Sequence, residues 1–106
     1  MRLFVLILLS LFSASTFAQV KEYKIVIREH RFVPAKLVVP ANTKFKLLVV
    51  NEDKTPEEFE SHELKREKIV TGKGKITVLL GPLKPGSYPF FGEFHMKTAQ
   101  GVLVVK

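Results

Sequence analysis

The residues best suited to chemistry stand in a short loop near the C-terminus, between the glycines at positions 92 and 101. Glu93 offers a carboxylate, His95 an imidazole and Met96 a thioether. All three donor types bind metal ions, and a thioether beside an imidazole favours copper, above all Cu(I). We predict a metal-binding loop with His95 as its first ligand, and with Met96 and Glu93 as further candidates. The alternatives are a surface histidine without a ligand and a methionine that fills a gap at the edge of the core.

A second group of donors lies in the acidic segment, residues 57–67, which holds half of the chain's ten acidic residues. If this segment is a strand, Glu58, Glu60 and His62 share one face, because side chains alternate along a strand. We take Glu60 as the first candidate ligand from this segment and Glu58 as the next. The alternative is a solvated acidic edge, since runs of charge usually face water. His30, in a predicted turn, is the remaining candidate.

The composition limits what these donors can do. The chain contains no cysteine, which excludes zinc–thiolate sites, iron–sulfur clusters and thiol redox chemistry. The net charge is +7, but the basic residues are scattered along the predicted strands. That pattern favours a solvated basic face and argues against a nucleic-acid site. No nucleophile triad, acid/base dyad or phosphate-binding loop is present, so hydrolase and transferase chemistry is not expected.

Residues 1–18 have the layout of a secretory signal peptide. Arg2 supplies a basic start, an apolar run from Leu3 to Phe12 follows, and the stretch ends in small residues at Ala18. An apolar run of about ten residues is well short of the roughly 20 that span a bilayer, which disfavours a membrane anchor. We therefore predict one domain, residues 19–106, exported to the periplasm.

The elements that must position the candidate ligands are short strands. Lys21–Arg28 and Lys75–Leu80 alternate between apolar and polar residues, which is typical of half-buried strands. Further strands are predicted at 36–39, 44–50 and 68–70, and around Tyr88 and Val102–Val105. Glycine and proline turns separate them, and no segment has the pattern of a long helix. The count and spacing predict an all-β, antiparallel Greek-key sandwich of about seven strands.

The chain resembles the cupredoxin-like family in three stretches, which are FVPAKLVVPANTKFKLLVVNED, EEFESHELKREKIV and GPLKPGSYPFFGEFHMKTAQGVLVV. It is most similar to the small periplasmic cupredoxins that accompany bacterial ferrous-iron permeases. The resemblance covers essentially all of residues 19–106. It implies a two-sheet Greek-key sandwich with one copper site, and a role in iron uptake beside a membrane iron permease.

The last loop departs from the pattern of the blue members of this family. Those proteins carry a tyrosine, a cysteine four residues later, a histidine three residues after that, and a methionine shortly before a glycine. Tyr88 and His95 match, but Gly92 stands at the cysteine position and Ala99 at the methionine position. A blue copper centre cannot form without a thiolate. We therefore expect a non-blue copper site that combines His95 and Met96 with carboxylates of residues 57–63.

Two functions remain open at this point. In the first, the protein oxidises ferrous iron by one electron, and the carboxylates hold the hard Fe(III) product. In the second, the domain is not an enzyme, and it binds or delivers a metal ion or serves as a docking subunit of a membrane iron permease.

Overall fold

Nine β-strands and one short 3-10 helix make up the regular structure of residues 20–106, the part of the chain that the computed structural model describes. The predicted signal peptide, residues 1–18, lies outside these residues. The strands are β1 (Lys21–Arg28), β2 (Arg31–Val33), β3 (Lys36–Val39), β4 (Phe45–Asn51), β5 (Glu57–Ser61), β6 (Arg66–Val70), β7 (Lys75–Leu80), β8 (Gly86–Phe91) and β9 (Gln100–Val105), and the 3-10 helix is Glu93–His95. Within the described part of the chain, no helix is long and apolar enough to cross a membrane.

The strands form two sheets that pack face to face. One sheet has the order β2-β1-β4-β7, and the other has the order β3-β9-β8-β5-β6. This arrangement confirms the predicted all-β Greek-key sandwich. It has nine strands where about seven were expected, because β2 is only three residues long and β5 is rich in glutamate, so neither has a clear strand pattern in the sequence. β1 pairs with β4 in parallel, as β3 does with β9, whereas the other pairs are antiparallel as expected.

The core between the sheets follows from the alternation of apolar residues along the strands. In β4, for example, Phe45, Leu47 and Val49 are buried while Lys46 is exposed. Three phenylalanines from three strands meet edge to face or tilted near one side of this core. Phe32 and Phe90 have ring centroids 5.0 Å apart, and Phe59 and Phe90 have centroids 5.1 Å apart. Aromatic packing of this kind fixes the positions of β2, β5 and β8 relative to one another.

The loop between β8 and β9 is closed by main-chain hydrogen bonds. The N–H of Gly92 donates to the carbonyl of Ala99 at 2.9 Å, and the N–H of Ala99 donates to the carbonyl of His95 at 2.8 Å. The N–H of His95 in turn donates to the carbonyl of Gly92 at 3.2 Å. The 3-10 helix is therefore held at both ends, and it presents its side chains from a rigid base.

Candidate metal centre

Two imidazoles and a buried carboxylate meet where the β1–β2 turn, the start of β5 and the 3-10 helix converge. His30, Glu57 and His95 each offer one ligand atom, and these atoms all lie within 4.8 Å of one another. The rings of His30 and His95 are stacked, with centroids 3.6 Å apart and an angle of 11° between their planes. Nδ1 of His95 contacts Oε2 of Glu57 directly. These three residues form the nitrogen–carboxylate cluster.

Glu57 is the most enclosed member of this cluster, with 1% of its surface exposed. Its Oε1 accepts hydrogen bonds from the main-chain N–H groups of Glu58, at 3.0 Å, and Phe94, at 3.2 Å. Hydrogen bonds to a carboxylate are strong and offset part of the cost of its burial. When Glu57 is ionised its oxygens can only accept, and the hydrogen bond then runs from Nδ1–H of His95 to Glu57. This contact fixes the orientation of the ring and leaves Nε2 as the nitrogen with a free lone pair.

Gly92 is required because Glu57 occupies the space beside it. A Cβ at position 92 would lie 2.4 Å from Oε1 of Glu57 and 2.9 Å from Cβ of Ala99. The main chain of Gly92 is extended, with φ −108° and ψ 114°, a conformation open to any residue. Glycine is therefore needed here because a side chain would overlap Glu57, and not because of the main-chain conformation. Its position is the one where blue cupredoxins carry cysteine, so the Glu57 carboxylate takes space that a cysteine side chain would need.

His30 reaches the cluster from a tight two-residue turn. Glu29 and His30 have positive φ angles of 51° and 57°, and Arg28 pairs with Arg31 on either side of them. A hairpin turn of this type needs positive φ at both central residues, which non-glycine residues adopt at a cost. The carboxylate of Asp53 compensates by accepting the main-chain N–H groups of Glu29, at 2.9 Å, and His30, at 3.0 Å. Nδ1 of His30 is buried and has no hydrogen-bond partner among the described residues.

Asp53 is itself held by a buried asparagine. Burial raises the pKa of Asp53, but the two N–H groups of the β1–β2 turn outweigh it and hold that pKa below its ordinary value. Oδ1 of Asn51 accepts the main-chain N–H of Asp53 at 3.0 Å. Nδ2 of Asn51 donates to the carbonyls of Thr55, at 2.9 Å, and Val70, at 3.2 Å. Asn51 thus orders the loop that leads into β5 and, through Asp53, the turn that carries His30.

A second cluster contains only carboxylates. Glu58, Glu60, Glu67 and Glu93 each offer an oxygen, and these oxygens lie within 4.8 Å of one another. Glu60 and Glu67 face each other across β5 and β6. Burial, and next the neighbouring carboxyl groups of Glu60 and Glu93, raise the pKa of Glu58 to about 8. These four residues form the carboxylate cluster.

The structure sorts the six candidate ligands from the sequence into different places. His95 and His30 come together in the nitrogen–carboxylate cluster, whereas Glu60, Glu58 and Glu93 all lie in the carboxylate cluster. The expected approach of Glu60 to His95 is not found. Met96 follows the 3-10 helix directly, and 51% of its surface is exposed.

Glu57 lies in the segment expected to supply carboxylates, but the sequence did not single it out as a ligand. Along β5 its side chain shares a face with Phe59, which is fully buried, whereas Glu58 and Glu60 lie on the opposite face. The signal that identifies it is the buried phenylalanine two residues later, because any residue in phase with Phe59 points the same way. Asn51 and Asp53 carry no comparable signal in the sequence.

Comparison with known proteins finds a family model and a related protein that match this chain. A family model described as a cupredoxin-like domain matches residues 1–105. An uncharacterized protein of Rickettsia prowazekii (strain Madrid E) is 54% identical over 84 residues, which cover 79% of this chain and 67% of that protein.

Two solved structures share the fold at low sequence identity. Auracyanin A, a blue copper protein from Chloroflexus aurantiacus, matches with a TM-score of 0.69 and 14% identity, over 80% of this chain and 98% of that one. The metal-binding domain, with Cu(I), of the Cu(I)-exporting P-type ATPase CopA of Streptococcus pneumoniae D39 matches with a TM-score of 0.68 and 13% identity, over 80% of this chain and 84% of that one.

A double-mutant cycle tests whether the Glu57 carboxylate is the reason that position 92 must be glycine. Gly92→Ala is expected to lower the free energy of unfolding by about 1–3 kcal/mol, because the added methyl overlaps the Glu57 carboxylate. In a Glu57→Ala background the same change is expected to cost less, since the overlapping atoms are gone. Denaturant unfolding of the four proteins measures both costs. Gly86→Ala is the control, since its nearest neighbour would lie at 3.7 Å. Equal costs of Gly92→Ala in both backgrounds would contradict this account.

The raised pKa of Glu58 predicts a pH dependence of stability. The folded protein holds the Glu58 proton more tightly than the unfolded chain, whose glutamates titrate near 4.5. Stability contributed at this site is therefore fully present below that value and is lost as the pH rises to about 8. Glu58→Gln, which stays neutral, is expected to flatten the decline in Tm of the metal-free protein between about pH 5 and 9. Glu63→Gln is the control. If the Tm of Glu58→Gln falls with pH as steeply as the Tm of wild type and of Glu63→Gln, Glu58 is not the source of the decline.

Proposed function

The chain belongs to the cupredoxin-like domain family, and we propose that it is a periplasmic copper-binding protein whose non-blue site is formed by His30, Glu57 and His95. The observation that carries this proposal is the convergence of two stacked imidazoles on one buried carboxylate. Two imidazole nitrogens and a carboxylate oxygen are a donor set that suits Cu(II). Nδ1 of His30 is buried without a hydrogen bond, 3.6 Å from Oδ2 of Asp53. The absence of cysteine makes the site non-blue.

The residues around the proposed copper site hold its histidines in position and supply negative charge. Glu57 contributes a negative charge in a place from which water is excluded, and its contact with His95 fixes that ring before any metal arrives. Asp53 holds His30 in its turn through two main-chain hydrogen bonds. His30 is thus held by a group outside the ligand set, whereas His95 is oriented by Glu57, which is itself one of the proposed ligands. Bound copper would supply a one-electron couple between Cu(II) and Cu(I).

The finer proposal is a role in ferrous-iron uptake. Copper held by His30, Glu57 and His95 would act as a one-electron acceptor, so that one Fe(II) would be oxidised to Fe(III) for each Cu(II) reduced to Cu(I). Support comes from the resemblance of the sequence to cupredoxins that accompany ferrous-iron permeases, and a membrane iron permease is the proposed partner.

The alternative is copper or iron delivery without catalysis, and one observation favours it specifically. Met96 lies next to His95 in sequence, and half of its surface is open to solvent. An accessible thioether is a soft donor that suits Cu(I) and can pass the ion to a partner. The likeness in fold to a Cu(I)-bound domain of a copper-exporting ATPase supports this alternative.

Copper titration of the metal-free protein tests the site itself. His95→Ala and His30→Asn are each expected to weaken Cu(II) binding by about tenfold or more, because each removes an imidazole nitrogen. Asparagine at position 30 tolerates the positive φ of the turn, so the β1–β2 hairpin should survive.

His62→Ala is the matched control for this titration, because its exposed ring contacts Phe91 and lies in neither cluster. Copper-loaded wild type should be pale, without an intense thiolate-to-copper band. Wild-type affinity in His95→Ala, or an intense blue colour, would refute the proposed site.

Mixing the Cu(II)-loaded protein with Fe(II) under anaerobic conditions separates the two functions. The redox proposal expects one Fe(III) per bound Cu(II) and loss of the Cu(II) paramagnetic resonance signal. His95→Ala at equal total copper should oxidise less iron, and His62→Ala should match wild type. If loaded wild type leaves both Fe(II) and the Cu(II) signal unchanged, the redox proposal is wrong and delivery is favoured.

A further inference from the structure

We propose that Glu58, Glu60, Glu67 and Glu93 form a second cation site, separate from the nitrogen–carboxylate cluster, which binds a hard divalent cation through oxygen atoms alone. This proposal goes beyond the copper site and does not depend on it. It assigns to a different ion three residues that the sequence offered as copper ligands.

The geometry of the carboxylate cluster comes from three elements. Glu58 and Glu60 extend from one face of β5, Glu67 stands opposite Glu60 on β6, and Glu93 begins the 3-10 helix. Residues far apart in sequence thus bring four oxygens within 4.8 Å of one another. Glu57 lies on the other face of β5, so the two clusters do not share a ligand.

The negative charge of this cluster has no basic partner in the described part of the chain. The charged pair found there joins Arg28 to Glu52, and the histidine–carboxylate contacts join His30 to Asp53 and His95 to Glu57. This is unusual in a chain with 17 lysines and arginines and ten acidic residues. Arg66 is close in sequence, but it donates to main-chain carbonyls, including that of Leu79 at 3.2 Å. Four carboxylates at such distances repel one another unless a cation or proton lies between them.

The second observation is that the carboxyl group of Glu58 is buried and that one of its oxygens has no hydrogen-bond partner in the described residues. Its residue surface is 4% exposed, and its Oε1 is buried without a hydrogen-bond partner in residues 20–106. A buried oxygen with no donor is costly and requires an explanation, such as an ion that the fold is built to receive. The carboxyl group that bears this oxygen reaches into the cluster. An acidic patch on a solvated edge would not bury one of its members in this way.

The donor set indicates the class of ion. Carboxylate oxygens suit hard cations such as Mn²⁺, Ca²⁺ and Mg²⁺, and the cluster has no imidazole or sulfur that would favour copper. Glu67 and Glu93 are exposed, which gives the ion a path from solvent and leaves room for water ligands. The two clusters thus differ in donor type although they stand on neighbouring residues of β5 and of the 3-10 helix.

The test uses Mn²⁺ alone as the probe, added to the metal-free protein. Binding is followed by loss of the free Mn²⁺ paramagnetic resonance signal. We expect a Glu60→Gln/Glu67→Gln double variant to bind Mn²⁺ about tenfold more weakly or worse, because it removes two charged ligands. Neither side chain is buried, so the variant should fold, which circular dichroism verifies.

Two matched variants make the result specific. Glu63→Gln removes an exposed charge from the same segment but outside the cluster, and His95→Ala disables the proposed copper site. Both should bind Mn²⁺ as wild type does, and the double variant should bind copper as wild type does. Absence of Mn²⁺ binding by wild type, unchanged binding in the double variant, or loss of binding in His95→Ala would each overturn the proposal.

Discussion

The burial of the Glu57 carboxylate is the constraint on which the rest of this site depends. A charge with 1% of its residue surface exposed must be satisfied locally, and the chain does so with two main-chain N–H groups and the imidazole of His95. One of those N–H groups belongs to Phe94, so the carboxylate also fixes the 3-10 helix against β5. Gly92 follows from the same cause, because any Cβ there would collide with Oε1. The glycine at position 92, the position of the 3-10 helix and the orientation of the His95 ring thus all follow from the burial of Glu57.

Much of the fold was predictable because its strands follow simple rules. In β1 and β7 the residues that face the core recur at every second position over most of the strand, and β4 has every second residue buried. β2 and β5 were harder to predict as strands, for physical reasons. Three residues are too few to establish a period, and β5 places glutamates on both faces, so its only apolar marker is Phe59. Had the segment been assigned as a strand in phase with Phe59, Glu57 would have been assigned to the inward face and Glu60 to the opposite one.

The site was less predictable because its contacts join distant parts of the chain. The position of His95 in a loop between two strands could be inferred, but its partner Glu57 lies 38 residues earlier. His30 depends on Asp53, which is 23 residues away, and on a turn in which neither central residue is a glycine. The usual signal for such a turn was missing, because the acceptor that compensates for the strain comes from another loop. At the β1–β2 turn, hydrogen bonds to a distant part of the chain stabilise a conformation that the local sequence does not favour.

The two clusters show how one strand can separate two kinds of chemistry. Successive residues of β5 point to opposite faces, so Glu57 joins imidazoles while Glu58 joins carboxylates. The 3-10 helix repeats this division, since Glu93 belongs to the carboxylate cluster and His95 to the nitrogen–carboxylate cluster. Selectivity between metal ions rests largely on donor type and geometry, because raw affinity favours copper at most sites. A cluster without nitrogen or sulfur removes the donors that copper prefers. The alternation of β5 therefore keeps an imidazole-containing ligand set apart from an all-carboxylate one without a second domain.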